Sequence, residues 1–139
     1  MTEQTFAMLK PETLRFKLIG NVIERLEGRQ LKIVAMKLIK VTPKQAAKLY
    51  EMHKGKPFHR GLVSHILSGP VVVMVLKGDN AVKGLRQMIG ATDPAKAKAG
   101  TIRADYGISI DENIIHAADS PENAARELKI FFKPNEIFP

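Results

Sequence analysis

One histidine in this sequence stands where its imidazole could act as a nucleophile. Residues 113–120 read NIIHAADS, and the two isoleucines before His116 predict a short apolar strand that would hold the ring rigidly. Ser120 followed by Pro121 is typical of a helix start. That helix would carry Glu127, eleven residues after His116, close enough for its carboxylate to fold back onto the ring. A carboxylate partner keeps one ring nitrogen protonated and leaves the other free to attack.

The composition indicates an ordinary globular protein. The chain has 139 residues, of which 45 % are apolar and 26 % are charged. No apolar run approaches the ~18 residues of a membrane span, and MTEQTF at the start lacks the features of a signal peptide. Cysteine is absent, which excludes disulfides and thiolate metal sites. We therefore expect one cytoplasmic domain over residues 1–139 with no membrane partner.

The charge balance points to an anionic partner. The chain has 22 Lys and Arg against 14 Asp and Glu, a net charge of +8. Such a surplus attracts nucleic acid, anionic membranes or small phosphorylated ligands. The basic residues are spread along the chain without a block of five or six. This spread weakens the case for a basic nucleic-acid tail and is compatible with a converging phosphate pocket.

Apolar spacing and capping residues predict alternating strands and helices. Strands are predicted over residues 4–9, 31–39, 71–76 and 114–117. Helices are predicted from Pro11 to Gly28, from Thr42 toward His53, over a short stretch ending at Leu67, from Asn80 to about Ile89, and from Pro121 to Phe132. Residues 90–105 predict a long ordered loop with short helical turns, and such loops are usually functional. The order is βαββαβ with added helices, which makes an antiparallel sheet covered by helices.

Six blocks of sequence occur in the order found in one known family. They are FAMLKPE at 6–12, KPFHRGLV at 56–63, SGPVVVMV at 68–75, GATDPA at 90–95, GTIRAD at 100–105 and NIIHAADS at 113–120. On these blocks the chain resembles the nucleoside diphosphate kinases over essentially its full length. The resemblance implies a ferredoxin-like α/β (α+β) sandwich with a four-stranded antiparallel sheet. The chain lacks the GxxxxGK[ST] and GxGxxG motifs, in agreement with a family that binds phosphates by side chains.

The resemblance implies a two-step phosphate exchange. A nucleoside triphosphate, mainly ATP, gives its terminal phosphoryl group to His116, and a nucleoside diphosphate then takes that group from the phosphohistidine. Glu127 matches the family's carboxylate that accepts the proton of the non-attacking nitrogen. Lys10 and Tyr50 complete the catalytic set that the resemblance implies.

The resemblance also implies how a nucleotide is bound. Lys10, Arg86 and Arg103 match the cationic phosphate ligands, and Tyr50, Thr92 and Asn113 match hydrogen-bonding groups near the phosphates and sugar. Phe58 matches the aromatic that stacks on the base, with Leu62 and Ile110 as apolar neighbours. Because every base has a π-face, stacking accepts any of them, and we expect broad nucleotide specificity.

Magnesium and a homo-oligomer follow from the same resemblance. Magnesium is expected on the nucleotide phosphates, since it commonly binds few protein ligands and no carboxylate cluster at metal-ligand spacing is present. The family assembles as hexamers, or as tetramers in some bacteria. Residues 90–100 resemble the loop at the family's subunit contacts, so we expect a hexamer, with a tetramer as the alternative.

Two alanines depart from the family pattern. Ala117 and Ala118 follow His116 where the family most often has Gly and Ser. The missing hydroxyl removes one hydrogen bond from Glu127, worth about 1 kcal/mol net. We expect activity to be retained.

The rival interpretation is a nucleic-acid-binding module on the same ferredoxin-like scaffold. The charge of +8 favours it, but the chain has only 6 Phe and 2 Tyr, and no strand carries the aromatic RNA-binding pattern. We therefore expect nucleic acid to be at most a secondary partner. His53, His59 and His65 are interpreted as loop or helix-surface residues.

Overall fold

A four-stranded antiparallel sheet forms the centre of the computed structural model, which describes residues 2–139. Its strands are β1 (Thr2–Leu9), β2 (Lys32–Ile39), β3 (Val71–Asp79) and β4 (Ile115–Ala117). They lie in the order β2-β3-β1-β4, and each neighbouring pair is antiparallel. This is the sheet of a ferredoxin-like βαββαβ fold, so the predicted fold class is confirmed.

Seven α-helices flank this sheet in the described part of the chain. They are α1 (Pro11–Arg15), α2 (Ile19–Gly28), α3 (Pro43–Leu49), α4 (His59–Ile66), α5 (Ala81–Ile89), α6 (Ile102–Tyr106) and α7 (Pro121–Phe131). One face of the sheet packs on α2, α5 and α6, and the other packs on α3, α4 and α7. Because both faces are covered, Val71 to Leu76 are all buried, as expected for a continuous apolar strand.

The first predicted helix is in fact two helices. The chain leaves α1 after Arg15 and adopts a left-handed conformation at Lys17, with φ of 58°. The Leu18 N–H then donates to the carbonyl of Thr13, and α2 begins at Ile19. The apolar spacing continues across this break, so periodicity alone could not reveal it. Gly28 is the last residue of α2, so the predicted end of this helix is confirmed.

Two other predicted boundaries are also corrected. The strand predicted over residues 31–39 begins at Lys32, and a bulge between Ile33 and Ala35 interrupts it, so Val34 and Ala35 are both buried. The helix predicted to run toward His53 ends at Leu49, and a separate 3₁₀ turn spans Glu51–His53.

Of three helix caps predicted from the sequence, one is wrong and two are confirmed. Asn80 precedes α5 without a side-chain cap, and the carboxylate of Glu3 accepts from the Val82 N–H instead. Thr42 forms a capping box with Gln45, as its sequence position predicts. Ser120 accepts from the Asn123 N–H at 3.1 Å and starts α7, which fixes the direction of the helix that carries Glu127.

The region from 90 to 105 contains the short helical turns predicted for it. A 3₁₀ turn spans Pro94–Lys96, and α6 begins at Ile102 behind the Thr101 cap. None of the helices within residues 2–139 has the length and apolar character needed to cross a bilayer.

Candidate active site

His116 and Glu127 meet where β4 passes under α7. His116 lies on the edge strand β4 and is paired with Met8 on β1, while the Glu127 side chain points from α7 with 4 % of its surface exposed. The distance from His116 Nε2 to Glu127 Oε1 is 2.6 Å. A neutral imidazole that donates its Nε2 proton to this carboxylate has Nδ1 unprotonated and available as a nucleophile.

The second carboxylate oxygen of Glu127 faces Arg126. Arg126 Nη2 lies 3.6 Å from Glu127 Oε2, and the same guanidinium donates to the carbonyl of Lys48 at 2.7 Å. Ala118 is buried beside Val82, so it offers no polar contact to the carboxylate. Glu127 thus keeps a charged neighbour despite the missing hydroxyl.

A cavity of about 440 Å³ opens beside His116, a volume suited to a small organic ligand. Every residue that the sequence suggested for catalysis or substrate binding lines it. Those residues are Lys10, Tyr50, Phe58, Leu62, Arg86, Thr92, Arg103, Ile110, Asn113, His116 and Glu127. The structure brings all of them together from distant parts of the chain.

Lys10 is buried at the floor of this cavity. Its ammonium donates to Asn113 Oδ1 at 2.9 Å and to the Asp111 carbonyl at 2.8 Å. Burial lowers the pKa of Lys10, although the nearby Glu12 carboxylate opposes that shift. Asn113 in turn donates to the Thr92 carbonyl at 3.0 Å, so these side chains support one another.

Two arginines add positive charge next to β4. Arg103 is buried and donates to the Ile115 carbonyl at 2.6 Å, and Arg86 donates to the Ala117 carbonyl at 3.1 Å. Burial, and then the charge of Arg86, lowers the pKa of Arg103. The Arg103 Nε is buried without a partner among the described residues. Guanidinium groups converging on one histidine form a setting that favours phosphate oxygens.

Three apolar side chains, Phe58, Leu62 and Ile110, form what we call the apolar wall of the cavity. Phe58 precedes α4 with 51 % of its surface exposed, and Ile110, in the loop before β4, is 55 % exposed. Leu62 lies one turn into α4. Exposed apolar side chains around a cleft provide a stacking surface for a planar ring.

Several residues that line the cavity were not predicted from the sequence, and two histidines were interpreted wrongly. Leu49, Met52, His53, Asp111, Ile115, Ala117 and Asp119 also line the cavity. His53 meets the Phe58 ring edge-on at 5.2 Å, and its position three residues after Tyr50 could have suggested this. His65 is not a free surface residue, because its Nε2 lies 2.7 Å from the buried carboxylate of Glu12.

Comparison with known proteins identifies the family to which this site belongs. The family model described as "Nucleoside diphosphate kinase" matches residues 3–137. The chain belongs to this family. A nucleoside diphosphate kinase of Kosmotoga olearia is 53 % identical over 135 residues, which cover 97 % of this chain and 92 % of that protein. One of Methanocaldococcus jannaschii is 51 % identical over 138 residues, 99 % of each chain.

Solved structures of nucleoside diphosphate kinases share the whole fold. The halophilic enzyme of Halobacterium salinarum, solved in complex with CDP, superposes with a TM-score of 0.96 at 41 % identity, covering 100 % of this chain and 93 % of its own. The Aquifex aeolicus enzyme gives 0.95 at 36 % identity, covering 99 % of both chains. As a member of this family, the protein is a transferase that moves phosphoryl groups between nucleotides. The rival interpretation, a nucleic-acid-binding module, is not favoured.

Proposed function

We propose that this nucleoside diphosphate kinase works by a ping-pong mechanism through a phosphohistidine at His116. The Nδ1 lone pair attacks the terminal phosphorus of a nucleoside triphosphate, mainly ATP, while the bond from that phosphorus to the bridging oxygen breaks and the diphosphate leaves. A terminal oxygen of a second nucleoside diphosphate then attacks the phosphorus, and the P–N bond breaks. The observation that carries the proposal is the 2.6 Å contact between His116 Nε2 and Glu127 Oε1.

Glu127 acts on the histidine and not on the phosphate. Its carboxylate holds the Nε2 proton in place and stabilises the positive charge that the ring acquires when Nδ1 becomes bonded to phosphorus. The nearby Arg126 keeps this carboxylate oriented. Tyr50 completes the catalytic group by donating a hydrogen bond toward the transferring phosphoryl group.

Phosphoryl transfer asks the protein mainly for positioning and for neutralisation of charge. Lys10, Arg86 and Arg103 are the groups proposed to bind the phosphate oxygens, and Thr92 and Asn113 the groups that bind phosphate and sugar. Phe58, with Leu62 and Ile110, forms the proposed platform for the base. The proposal is supported by the position of these residues around one cavity beside His116.

Magnesium is proposed to enter with the nucleotide. No cluster of three His, Asp or Glu side chains within residues 2–139 has the arrangement of a metal site. Besides Glu127, the lining contains two carboxylates, Asp111 and Asp119, which are proposed to contact the water ligands of a phosphate-bound ion. When bound, Mg²⁺ neutralises charge on the phosphates. The hydrogen bond from Asn123, above all, holds the pKa of Asp119 below its ordinary value, so Asp119 is ionised at neutral pH.

Residues 1–139 are proposed to form a single cytoplasmic domain that assembles as a homo-oligomer, a hexamer or else a tetramer. β2 is an edge strand of the sheet, and Met36 and Leu38 on it are 50 % and 66 % exposed. An exposed apolar edge strand is a natural subunit contact. Light scattering decides this point, because a mass near the 15.4 kDa of one chain would reject an oligomer.

The chemical proposal is tested by trapping the phosphoenzyme. The protein is incubated with magnesium and ATP labelled on the terminal phosphate, and the bound label is assayed for stability. A phosphohistidine is labile in acid and stable in alkali, and it should disappear when ADP is added. His116→Ala should take up no label, whereas His59→Ala, outside the cavity, should be labelled like the wild type. A wild-type protein that takes up no label at stoichiometric concentration would refute the mechanism.

A further inference from the structure

Glu12 is a buried carboxylate for which the mechanism above has no role. It lies in the second position of α1, two residues after Lys10, and its side chain is fully buried. Its Oε2 accepts from the Ile114 N–H at 3.0 Å and lies 3.9 Å from the Lys10 ammonium, while its Oε1 contacts His65 Nε2 at 2.7 Å. Burial by itself would raise the pKa of Glu12, but the hydrogen bond from His65 and the charge of Lys10 hold that pKa below its ordinary value. The group is therefore an ionised carboxylate with both oxygens engaged.

The first partner of Glu12 is the backbone N–H of Ile114, a residue with a strained conformation. Ile114 has φ of 80°, a left-handed conformation that is unfavourable for a β-branched residue, and it is fully buried. Its carbonyl accepts from the Thr13 hydroxyl at 2.6 Å and from the Lys10 N–H at 2.9 Å. Residues 10–13 thus bind both polar groups of this one peptide residue. The residue before it is Asn113, and two residues after it stands His116.

The second partner of Glu12 belongs to a different wall of the cavity. His65 lies on α4, the helix that follows Phe58 and carries Leu62. The His65 side chain is 19 % exposed, while the carboxylate it contacts has no exposure. One carboxylate therefore connects the turn that leads to His116 with the helix at the apolar wall.

We propose that Glu12 is a positioning residue that fixes the relative position of two parts of the nucleotide cavity, the turn before His116 and helix α4. Through the Ile114 N–H it holds the left-handed turn that sets the positions of Asn113 and His116, and through His65 it holds α4 and the apolar wall. This inference rests on the proposed phosphohistidine mechanism, because it assigns Glu12 a role in that same site. Glu12 acts through these neighbours and does not touch the nucleotide.

The two connections should affect different kinetic quantities. Loss of the bond to Ile114 displaces the attacking histidine, so it should lower the rate constant for His116 phosphorylation at saturating magnesium and ATP. A displacement of about 1 Å at a reacting group can cost on the order of a hundredfold in rate, and we expect at least about tenfold here. Loss of the bond to His65 displaces α4, so it should mainly raise the KM for the nucleotide.

Four variants and one control separate these effects. Glu12→Leu removes both bonds at similar volume, while Glu12→Gln keeps an acceptor for Ile114 and an amide for His65 and should retain most of the rate. His65→Leu removes only the second bond, and His65→Gln keeps a donor for it. His59→Leu is the control on the same helix, since His59 does not line the cavity. Each purified variant is checked by thermal unfolding before single-turnover and steady-state assays with labelled ATP.

We expect Glu12→Leu to lower the rate constant for His116 phosphorylation and Glu12→Gln to restore most of it. We expect His65→Leu to raise the KM for the nucleotide and His65→Gln to bring it back toward the wild-type value. Folded Glu12→Leu that is phosphorylated as fast as the wild type would overturn the inference, as would equal impairment of Glu12→Leu and Glu12→Gln. If Glu12→Leu fails to fold, the His65 pair decides: His65→Leu indistinguishable from His59→Leu in KM would also overturn it. A wild type that takes up no label would instead refute the phosphohistidine mechanism, so the two failures are distinguishable.

Discussion

The ring of Tyr50 meets the ring of His116 edge-on, with the centroids 6.3 Å apart and the planes at 86°. Burial, and then the negative charges of Glu127 and Glu12, raises the pKa of the Tyr50 phenol above its ordinary value. The hydroxyl is therefore protonated throughout the physiological range. In the proposed mechanism, this protonated phenol beside His116 is a hydrogen-bond donor available to the transferring phosphoryl group.

Tyr50→Phe should separate this donor from the packing of the ring. The variant keeps the aromatic contact with His116 and loses the hydroxyl, and a hydrogen bond to a charged group is worth about 1.5–3 kcal/mol. Phosphoryl transfer should therefore fall by about tenfold or more while the melting temperature stays near that of the wild type. A coupled assay with ATP and dTDP, together with thermal unfolding, measures both. An unchanged kcat/KM would show that the hydroxyl does not act on the phosphate.

Glu127→Gln should slow the phosphorylation of His116. The amide oxygen can still accept from Nε2, but a charge-assisted hydrogen bond is about twice as strong as a neutral one. The lost stabilisation of the ring charge is about 1–1.5 kcal/mol, which corresponds to about tenfold in rate. Quenched-flow measurement of label uptake gives the rate constant. Glu122→Gln, an exposed position on the same helix, is the matched control and should react like the wild type.

Phe58→Ala should weaken the binding of all nucleotides by a similar factor. Stacking of one base on an aromatic side chain is worth about 1–3 kcal/mol, so KM should rise by about fivefold or more for purine and pyrimidine nucleotides alike. Phe16→Ala removes a comparably exposed phenylalanine that does not line the cavity, and should leave KM unchanged. A rise in KM confined to one base would contradict sequence-independent stacking.

The activity should decline in alkali at a pH set by Lys10. The pKa of Lys10 in the free enzyme lies below its ordinary value of 10.5, chiefly because the ammonium is buried. Below that pKa the charged ammonium attracts phosphate, and above it the neutral amine does not, so kcat/KM should fall as pH rises through the lowered pKa. Lys10→Arg keeps its charge to higher pH and should move the decline upward, whatever its effect on the maximum rate. If kcat/KM of the wild type and of Lys10→Arg fell with the same midpoint pH, the decline would be due to another group.

The pairing of His116 with Glu127 could be predicted because it is local in sequence. Fifteen consecutive residues contain the apolar strand, the Ser120-Pro121 helix start and the helix itself. Because the turn between strand and helix is short, the helix places its carboxylate over the ring. The order of strands and helices, and hence the fold class, follows from similar local patterns. The six collinear blocks indicated which residues would surround the histidine.

Only the tertiary structure decided the contacts between distant parts of the chain. Lys10 reaches Asn113 across 103 positions, and Glu12 reaches His65 across 53, because β1 lies between β3 and β4 in the folded sheet. No local pattern records such neighbours, and His65 was for that reason interpreted as a surface residue. The left-handed conformation at Ile114 was equally hidden, since hydrogen bonds from Lys10, Glu12 and Thr13, about a hundred positions away, hold it against the intrinsic preference of an isoleucine.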